Sequence, residues 1–562
     1  MTAADKAPTA TDTAPPSPHR WWGLVAISLG VSLIIVDSTI VNVAIPSIID
    51  DLDITSSDAQ WVQETYTLVF AALLLVCGRA GDRLGRRRVF LTGTTVFMAA
   101  SVLAATATSG PALIGSRLLQ GIGGAMILPT SLSLINAGFR GRERAMAFAV
   151  WGSTIGGTAA LGPLLGGYLT SHLSWRWAFG INLPLGLLVL AGALAFVTES
   201  KDNRPQHGND ITGAVLSILG FTGIVFGLIE GRTYGWWTLR EDFHLPPLHL
   251  HTGISPVPVA FLLGAAALTA FVLTELRRNR QGKTALLDLR LFAIASFRNG
   301  NLVAGIVSLG EFGILFSLPL WFQNVLGYSA FDSGLALLPL ALGSFAASAG
   351  AAVLSARIGT VNLVRAGIAC ELLGVAGIGL VLSPTAAGWT IAPLLFLYGI
   401  GVGWATAQIT GITLSDVPVE QSGQGSGIQS TTRQIGSALG IALLGTVLFT
   451  TLTSDLTDRL RDQGLTPAQA TGTAAAVQRS AGAVIPTLEA DPATMPAAQA
   501  AKESFTTATS LAAYTAATAL ALGLVAAARL KPAQPGHPGA TAGPTGRPDP
   551  RHESQPGMQP EV

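Results

Sequence analysis

The chain has 562 residues, 49% hydrophobic and only 12% charged, and its 65 glycines complete a composition that suits lipid better than water. A soluble chain of this length would divide into several domains with far more charged surface, so a string of water-soluble domains is excluded. A net charge of +1 gives no reason to expect a nucleic-acid partner.

A spanning helix needs ~20 largely apolar residues. Fourteen runs qualify, at 22–46, 60–79, 89–109, 111–135, 145–169, 177–197, 211–230, 256–275, 297–322, 332–354, 363–382, 391–412, 427–450 and 508–529. Residues 1–20 precede them as a polar, proline-rich tail, and residues 531–562 follow as a Pro/Gly-rich tail; both are expected to be disordered. No small-residue cleavage site follows the first run, so it reads as a retained span.

Lys and Arg in the short loops set the orientation. Arg83, Arg86, Arg87, Arg88, Arg140, Arg142, Arg144, Lys201, Arg277, Arg278, Arg357 and Arg365 fall on one side. On the other side, the loop at 47–59 holds Asp50, Asp51, Asp53 and Asp58 and no base. The basic side is expected to be cytoplasmic, with both termini there, in a multi-pass protein of the inner or plasma membrane. Ala285–Phe297 reads as an amphipathic stretch on the inner membrane surface. Glu64, Glu230 and Glu275 lie near span ends, where snorkelling to water costs little. The external segment 451–507 is long, and Thr466-Pro467 opens a short surface helix within it. His244, His249 and His251 match no strong metal-ligand spacing, and no metal or cofactor is expected.

The turn from Gly78 to Arg88 has a fainter copy at Ala352–Gly359, 274 residues on. The same offset places Gly93 on Gly367, and an offset of 278 places Gly121 and Gly123 on Gly399 and Gly401. Spans 1–6 (residues 21–200) and 9–14 (297–530) are therefore two related halves, and spans 7–8 (201–296) are additional. Both copies of the turn lie on the same side, so the repeat is parallel.

Five motifs in order resemble the major facilitator superfamily, and within it the fourteen-span drug:proton antiporters of the EmrB/QacA kind. They are the 78–88 turn, Arg117-x-x-Gln120-Gly121-x-Gly123-Gly124-Ala125, Gly162-Pro163-x-x-Gly166-Gly167, Asp37 to Pro46, and Trp175-Arg176-Trp177-x-Phe179-x-x-Asn182. The resemblance covers residues 20–530. It implies an all-α membrane protein with a major facilitator fold, two six-helix bundles plus two extra helices. It also implies export of small, largely hydrophobic compounds, cationic ones among them, in exchange for protons. Thr158 departs from the pattern, standing where the fifth-span motif carries glycine.

Within the motifs, Gly78, Gly81, Asp82, Arg83, Gly85 and Arg86 form a conformational latch: Gly81 and Gly85 make the turn, and Asp82 faces the start of another helix. Gly162, Pro163, Gly166 and Gly167 form a flexible seam between the halves. Ionisable groups inside spans are costly and mark function. Asp37, Arg117 and Glu311 lie ~13, ~9 and ~16 Å from the outer ends of their spans at 1.5 Å per residue, and are expected to share a cavity as the proton-coupling set. By the offset, Asp37 and Glu311 are pseudo-symmetric. Asp37 can pair with Arg117, whereas Leu395 occupies the corresponding position in the second half and leaves Glu311 without a mate. Glu371 reads as peripheral and structural. Asn42, Gln120, Gln323, Gln408 and Arg433 are candidates for the substrate cavity, Arg433 near the cytoplasmic end of its span.

No nucleophile–base constellation marks an enzyme, and no Gly-x-x-x-x-Gly-Lys-Ser/Thr loop supports ATP drive. The expected protein is a monomeric proton-coupled exporter working by alternating access, with the lipid bilayer, protons and small compounds as its partners. A proton-coupled importer and a non-transporting sensor or scaffold are the alternatives.

Overall fold

The computed structural model describes residues 19–531 except 55, 202–209, 232–233, 240–243, 246–247, 250–253, 282, 284, 286, 387 and 419–420. The elements in chain order are α1 (Arg20–Leu52), α2 (Ser56–Leu84), α3 (Arg86–Ala105), α4 (Gly110–Gly138), α5 (Gly141–His172), α6 (Arg176–Gly180), α7 (Asn182–Phe196), α8 (Ile211–Glu230), the hairpin β1 (His244–Leu245) and β2 (Leu248–His249), then α9 (Pro256–Arg280). A 3-10 turn (Leu289–Ala293) leads into α10 (Ala295–Asn324), α11 (Ala330–Ile358), α12 (Thr360–Val381), α13 (Gly388–Thr413), α14 (Ser422–Asp462), α15 (Pro467–Arg479), α16 (Ile485–Ala490) and α17 (Met495–Ala527). Helices dominate because, in hydrocarbon, each backbone N–H and C=O must find its partner within the segment. Twelve helices among the described residues are long and apolar enough to cross a membrane. The similarly long α2 and α5 are not counted among them.

One buried cluster gathers residues of α10–α17, and a second gathers α1–α5 and α7 together with Phe271 of α9, Phe297 of α10 and Ile428 of α14. The 274-residue offset is realised in the backbone. Gly85 and Gly359 both adopt positive φ, 111° and 86°, immediately before a helix. A Cβ on Gly93 would lie 2.9 Å from the Gly123 carbonyl oxygen, and one on Gly367 would lie 2.9 Å from that of Gly401. The α3–α4 and α12–α13 crossings are thus the same close glycine contact made twice.

Several elements differ from the sequence reading. α1 continues through the aspartate-rich stretch to Leu52, which places Asp37 near the middle of the helix. Ala285–Phe297 does not lie along the lipid surface: Leu287, Leu291 and Phe297 are buried in the protein, and the Leu287 N–H donates to Glu275 Oε2 at 3.1 Å. Glu275 is itself buried and does not snorkel. The 451–507 segment is helical. α14 is ~60 Å long at 1.5 Å per residue, about twice the ~30 Å hydrocarbon layer. Its Leu452, Leu456 and Leu460 pack with Ala470, Ala474 and Val477 of α15. Thr466 starts α15 with a capping box to Gln469.

Candidate functional site

Five helices converge on Asp37. Arg117 Nη1 of α4 donates to Asp37 Oδ2 at 2.5 Å, while Gln120 Nε2 and Asn182 Nδ2 donate to Oδ1 at 3.0 and 2.7 Å. The same two amides reach Ser101 Oγ of α3, at 2.8 and 3.2 Å. Arg117 also donates to Gln120 Oε1 and to the Val62 carbonyl of α2, and its guanidinium lies 4.4 Å from the Tyr66 ring centroid. Asp37, Arg117, Gln120 and Asn182 are all 0% exposed. The carboxylate therefore meets three donors, one of them charged, in a site closed to solvent. Such a pair loses much of its attraction to desolvation, so it is weak evidence for stability and better evidence for function. Tyr66 Oη, Arg117 Nη2 and Asn182 Oδ1 are buried without a hydrogen-bond partner. These three atoms leave the site able to engage water or a bound compound.

Glu311 lies near the middle of α10 and does not join this cluster. Among the described residues no hydrogen bond or ion pair links Glu311 to Asp37 or Arg117. Nor is Glu311 without a mate. Thr406 Oγ1 donates to its Oε1 at 3.0 Å, and Arg433 Nη2 lies 3.7 Å from its Oε2. Arg433 is eleven residues into α14, ~16 Å from the helix start, well inside the span rather than at its mouth. The Tyr398 hydroxyl donates to the Glu311 backbone oxygen at 3.1 Å. Tyr398 follows Gln120 by the 278-residue offset, so equivalent positions in α4 and α13 bond the equivalent acidic residues. Of the other cavity candidates, Gln408 is buried with its Nε2 unpartnered, Gln323 lies half-buried in the last turn of α10, and the Asn42 side chain lies outside the described residues.

At the turn between α2 and α3, Asp82 is fully buried. Its Oδ1 accepts from the Gly423 N–H at 2.8 Å and its Oδ2 from the Gln424 N–H at 2.9 Å, at the start of α14. Arg86 Nη2 donates to Asp82 at 2.8 Å. An anion therefore sits on the positive end of a helix belonging to the other half of the repeat. Glu199 does the same for α3, accepting from the N–H groups of Arg87 and Arg88 at 3.0 and 3.1 Å. Only Gly85 makes the turn; Gly81 lies inside α2, where a Cβ would come 2.8 Å from Thr130. Gly78 is a crossing point, since a Cβ there would lie 2.5 Å from the Gly423 oxygen. Arg83 is exposed. Arg144 Nη2 adds a second tie between halves, to the Ser415 carbonyl at 3.2 Å.

The α5 glycines do not all face the other half. Gly162 packs on Thr39 and Gly166 on Ile40, both of α1, and only Gly167 meets Phe331 of α11. The Pro163 side chain lies outside the described residues.

At the end of the bundle away from the α2–α3 turn, Arg176 Nη1 and Trp175 Nε1 donate to Asp51 Oδ2 at 2.7 and 3.1 Å. The Arg176 hydrogen bond, with that of Trp175, holds the Asp51 carboxyl below the usual carboxylate range. A depressed folded-state value means the tie is complete above the unfolded carboxylate range and is lost as pH falls through the lowered value. Asp51→Asn is therefore expected to lower the thermal midpoint at neutral pH, with the difference from wild type closing in strong acid. A midpoint difference unchanged by pH would refute this.

Residues 27–441 match the family described as Major Facilitator Superfamily. The chain belongs to that superfamily. Among similar proteins, the "Probable actinorhodin transporter" of Streptomyces coelicolor is 34% identical, over 81% of this chain and 77% of its own. "Puromycin resistance protein pur8" of Streptomyces alboniger is 34% identical, covering 81% and 86%. "Multidrug efflux pump LfrA" of Mycolicibacterium smegmatis is 33% identical, covering 85% and 89%. These relatives are named as antibiotic or multidrug transporters and resistance proteins. Solved structures share the fold: the human organic anion transporter MFSD10 at a TM-score of 0.57 and 14% identity (91% and 100% covered), and the proton:xylose symporter XylE at 0.54 and 14% (84% and 96%). The chain thus has the all-helical transporter fold of the superfamily, and its named relatives are drug-efflux and antibiotic-resistance transporters.

Proposed function

We propose that this chain exports small, largely hydrophobic compounds in exchange for protons, as a fourteen-span transporter of the EmrB/QacA kind. The observation that carries the reading is the sealed Asp37 site, an intramembrane carboxylate held by Arg117, Gln120 and Asn182. Proton binding there would release Arg117 and redistribute the polar groups around it. The fourteen spans are α1–α5, the α6–α7 pair, α8–α14 and α17. Residues 21–200 and 297–530 form the two bundles, 201–296 adds α8 and α9, and residues 1–20 and 531–562 are cytoplasmic tails. The α2–α3 turn faces the cytoplasm of a cell-membrane protein acting as a monomer. With Asp82 seated on α14, the cytoplasmic entrance is closed, and alternating access rocks one bundle against the other. Asp37, Arg117 and Glu311 couple protons, while Gln120, Gln408, Gln323, Asn42 and Arg433 border the compound's path. One charge crossing 100 mV supplies about 2.3 kcal/mol, enough to hold a roughly 40-fold gradient.

Susceptibility of a deletion strain and an overexpressing strain to a panel of antibiotics and dyes tests the reading. Compounds that the deletion sensitises to should, when added to acid-loaded everted vesicles, discharge the pH gradient. Resistance without any proton movement would reject proton coupling, and uptake of the compound into cells would favour the importer.

A further inference from the structure

Glu371 is a buried acid that the transport scheme leaves unused. It lies in α12, is 0% exposed, and both of its carboxyl oxygens lack a hydrogen-bond partner. Its chain is packed into the α12–α13 crossing, where a Cβ on Gly401 would come 2.5 Å from Glu371 Cγ. Gly401 lies between Tyr398 and Thr406 on α13, the two residues that bond Glu311. One turn along α12, a Cβ on Gly374 would lie 2.8 Å from Tyr398 Cβ, so the helix packs on the tyrosine that reaches Glu311. Glu371, read as peripheral and structural from the sequence, is thus fully buried against the helix that carries the two residues bonded to Glu311.

Among the described residues, few ionisable groups lie on the helices around Glu371. α10 contributes Glu311, α13 Tyr398, α14 Arg433, and α12 itself Cys370. α17 buries no ionisable side chain among its described residues, and α11 carries only Asp332 and Arg357, at its two ends. The charges do not balance. In the first site one carboxylate meets one guanidinium. In the second, two carboxyls share the single guanidinium of Arg433, which is bonded to neither at close range and lies on the Glu311 side. A buried carboxylate with no donor is far more costly than a neutral acid, and two like charges in one site cannot both persist cheaply.

We propose that Glu311 and Glu371 form a carboxyl pair that carries one proton per cycle, with Glu371 as its buried store and Glu311 as the member that exchanges. Its titration belongs to the pair rather than to either residue. The proton binds when the pair is wetted from one side. It leaves to water on the other side or is displaced when a cation takes its place beside Glu311. The role in transport rests on the proton-coupled reading above; the proton itself does not.

Infrared difference spectra of the full-length, substrate-free protein in liposomes, recorded while pH alone is varied, test the pair. Wild type should show the carbonyl stretch of a protonated carboxyl without a hydrogen-bond partner. Glu371→Gln should lose one carboxyl equivalent of that signal. Glu311→Gln should keep it, because Glu371 has no donor of its own and Arg433 lies on the Glu311 side. Arg433→Gln should instead gain one equivalent, and Asp37→Asn should leave the band in place. A spectrum of Glu371→Gln that retains the wild-type band overturns the proposal. If Glu371→Gln does not fold, an unchanged band in Arg433→Gln overturns it equally. Everted vesicles separate the two readings. A band present in a protein that moves no protons with drugs rejects the antiport reading and keeps the pair. Proton-coupled efflux with no such band rejects the pair alone.

Discussion

Asp37→Asn should reduce resistance to that of the deletion strain and abolish proton release in everted vesicles. The reason is local. Among the described residues Asp37 is the only acid bonded to Arg117, and that arginine is 0% exposed. Neutralising Asp37 leaves a guanidinium unpaired inside the bundle, and breaking a buried pair from one side costs about 3–5 kcal/mol. Loss of transport could then reflect loss of protein, so the double variant Asp37→Asn/Arg117→Gln is the informative one. Removing both charges avoids the unpaired ion and should return membrane abundance to near the wild-type level. Transport should remain absent, because no proton-binding group is left at the site. Arg117→Lys should fail too. One ammonium cannot keep the donor to Val62, the bond to Asp37 and the stacking on Tyr66 together. The loss of one charge-assisted bond at about 1.5–3 kcal/mol corresponds to a roughly tenfold or larger fall in activity. Proton-coupled efflux by the double variant would remove Asp37 from the mechanism.

The sequence made the helices legible because apolar runs of sufficient length allow little else in a bilayer. It made the repeat legible because glycine at a positive-φ turn or a close crossing tolerates few substitutes, which is why Gly85 and Gly359, and Gly93 and Gly367, remain in register. Asp37 and Arg117 stood out because a charge inside an apolar run is rare. What stayed hidden was pairing between distant helices. Arg433 was visible, but its partner is 122 residues away on α10, and no local pattern joins them. Asn182 and Ser101 are ordinary polar residues until folding brings them beside Asp37. The full burial of Glu371 was also hidden, because a helix at the edge of a bundle can still aim one side chain inward. The signal available was its spacing from Gly367, which places Glu371 one turn along the same face of α12 as the glycine at the crossing.

Asp82→Asn should open the end of the bundle at the α2–α3 turn. The Asp82 carboxylate accepts the first free N–H groups of α14 at 2.8 and 2.9 Å, joining two halves that must separate there during transport. An anion at a partly buried helix start contributes up to ~2 kcal/mol, and one lost charge-assisted bond about as much again. Asparagine keeps one acceptor, so a net loss of ~3 kcal/mol would shift the balance between closed and open forms roughly 100-fold. Spin labels at the exposed Leu84 and Arg357, in a background without Cys77 and Cys370, would report this as a longer distance in Asp82→Asn. Gly423→Ala should do the same with the carboxylate intact, since its Cβ would occupy the position of the Asp82 carboxyl. Arg88→Gln separates this latch from simple charge on the turn. Its side chain is 80% exposed and lies 3.9 Å from Glu199, so it removes a positive charge without touching α14. The distance should then stay at its wild-type value. If Asp82→Asn and Gly423→Ala also leave it unchanged, the turn serves orientation alone, and the closed state is held by the glycine contact of Gly78 with Gly423 and by Arg144 on Ser415.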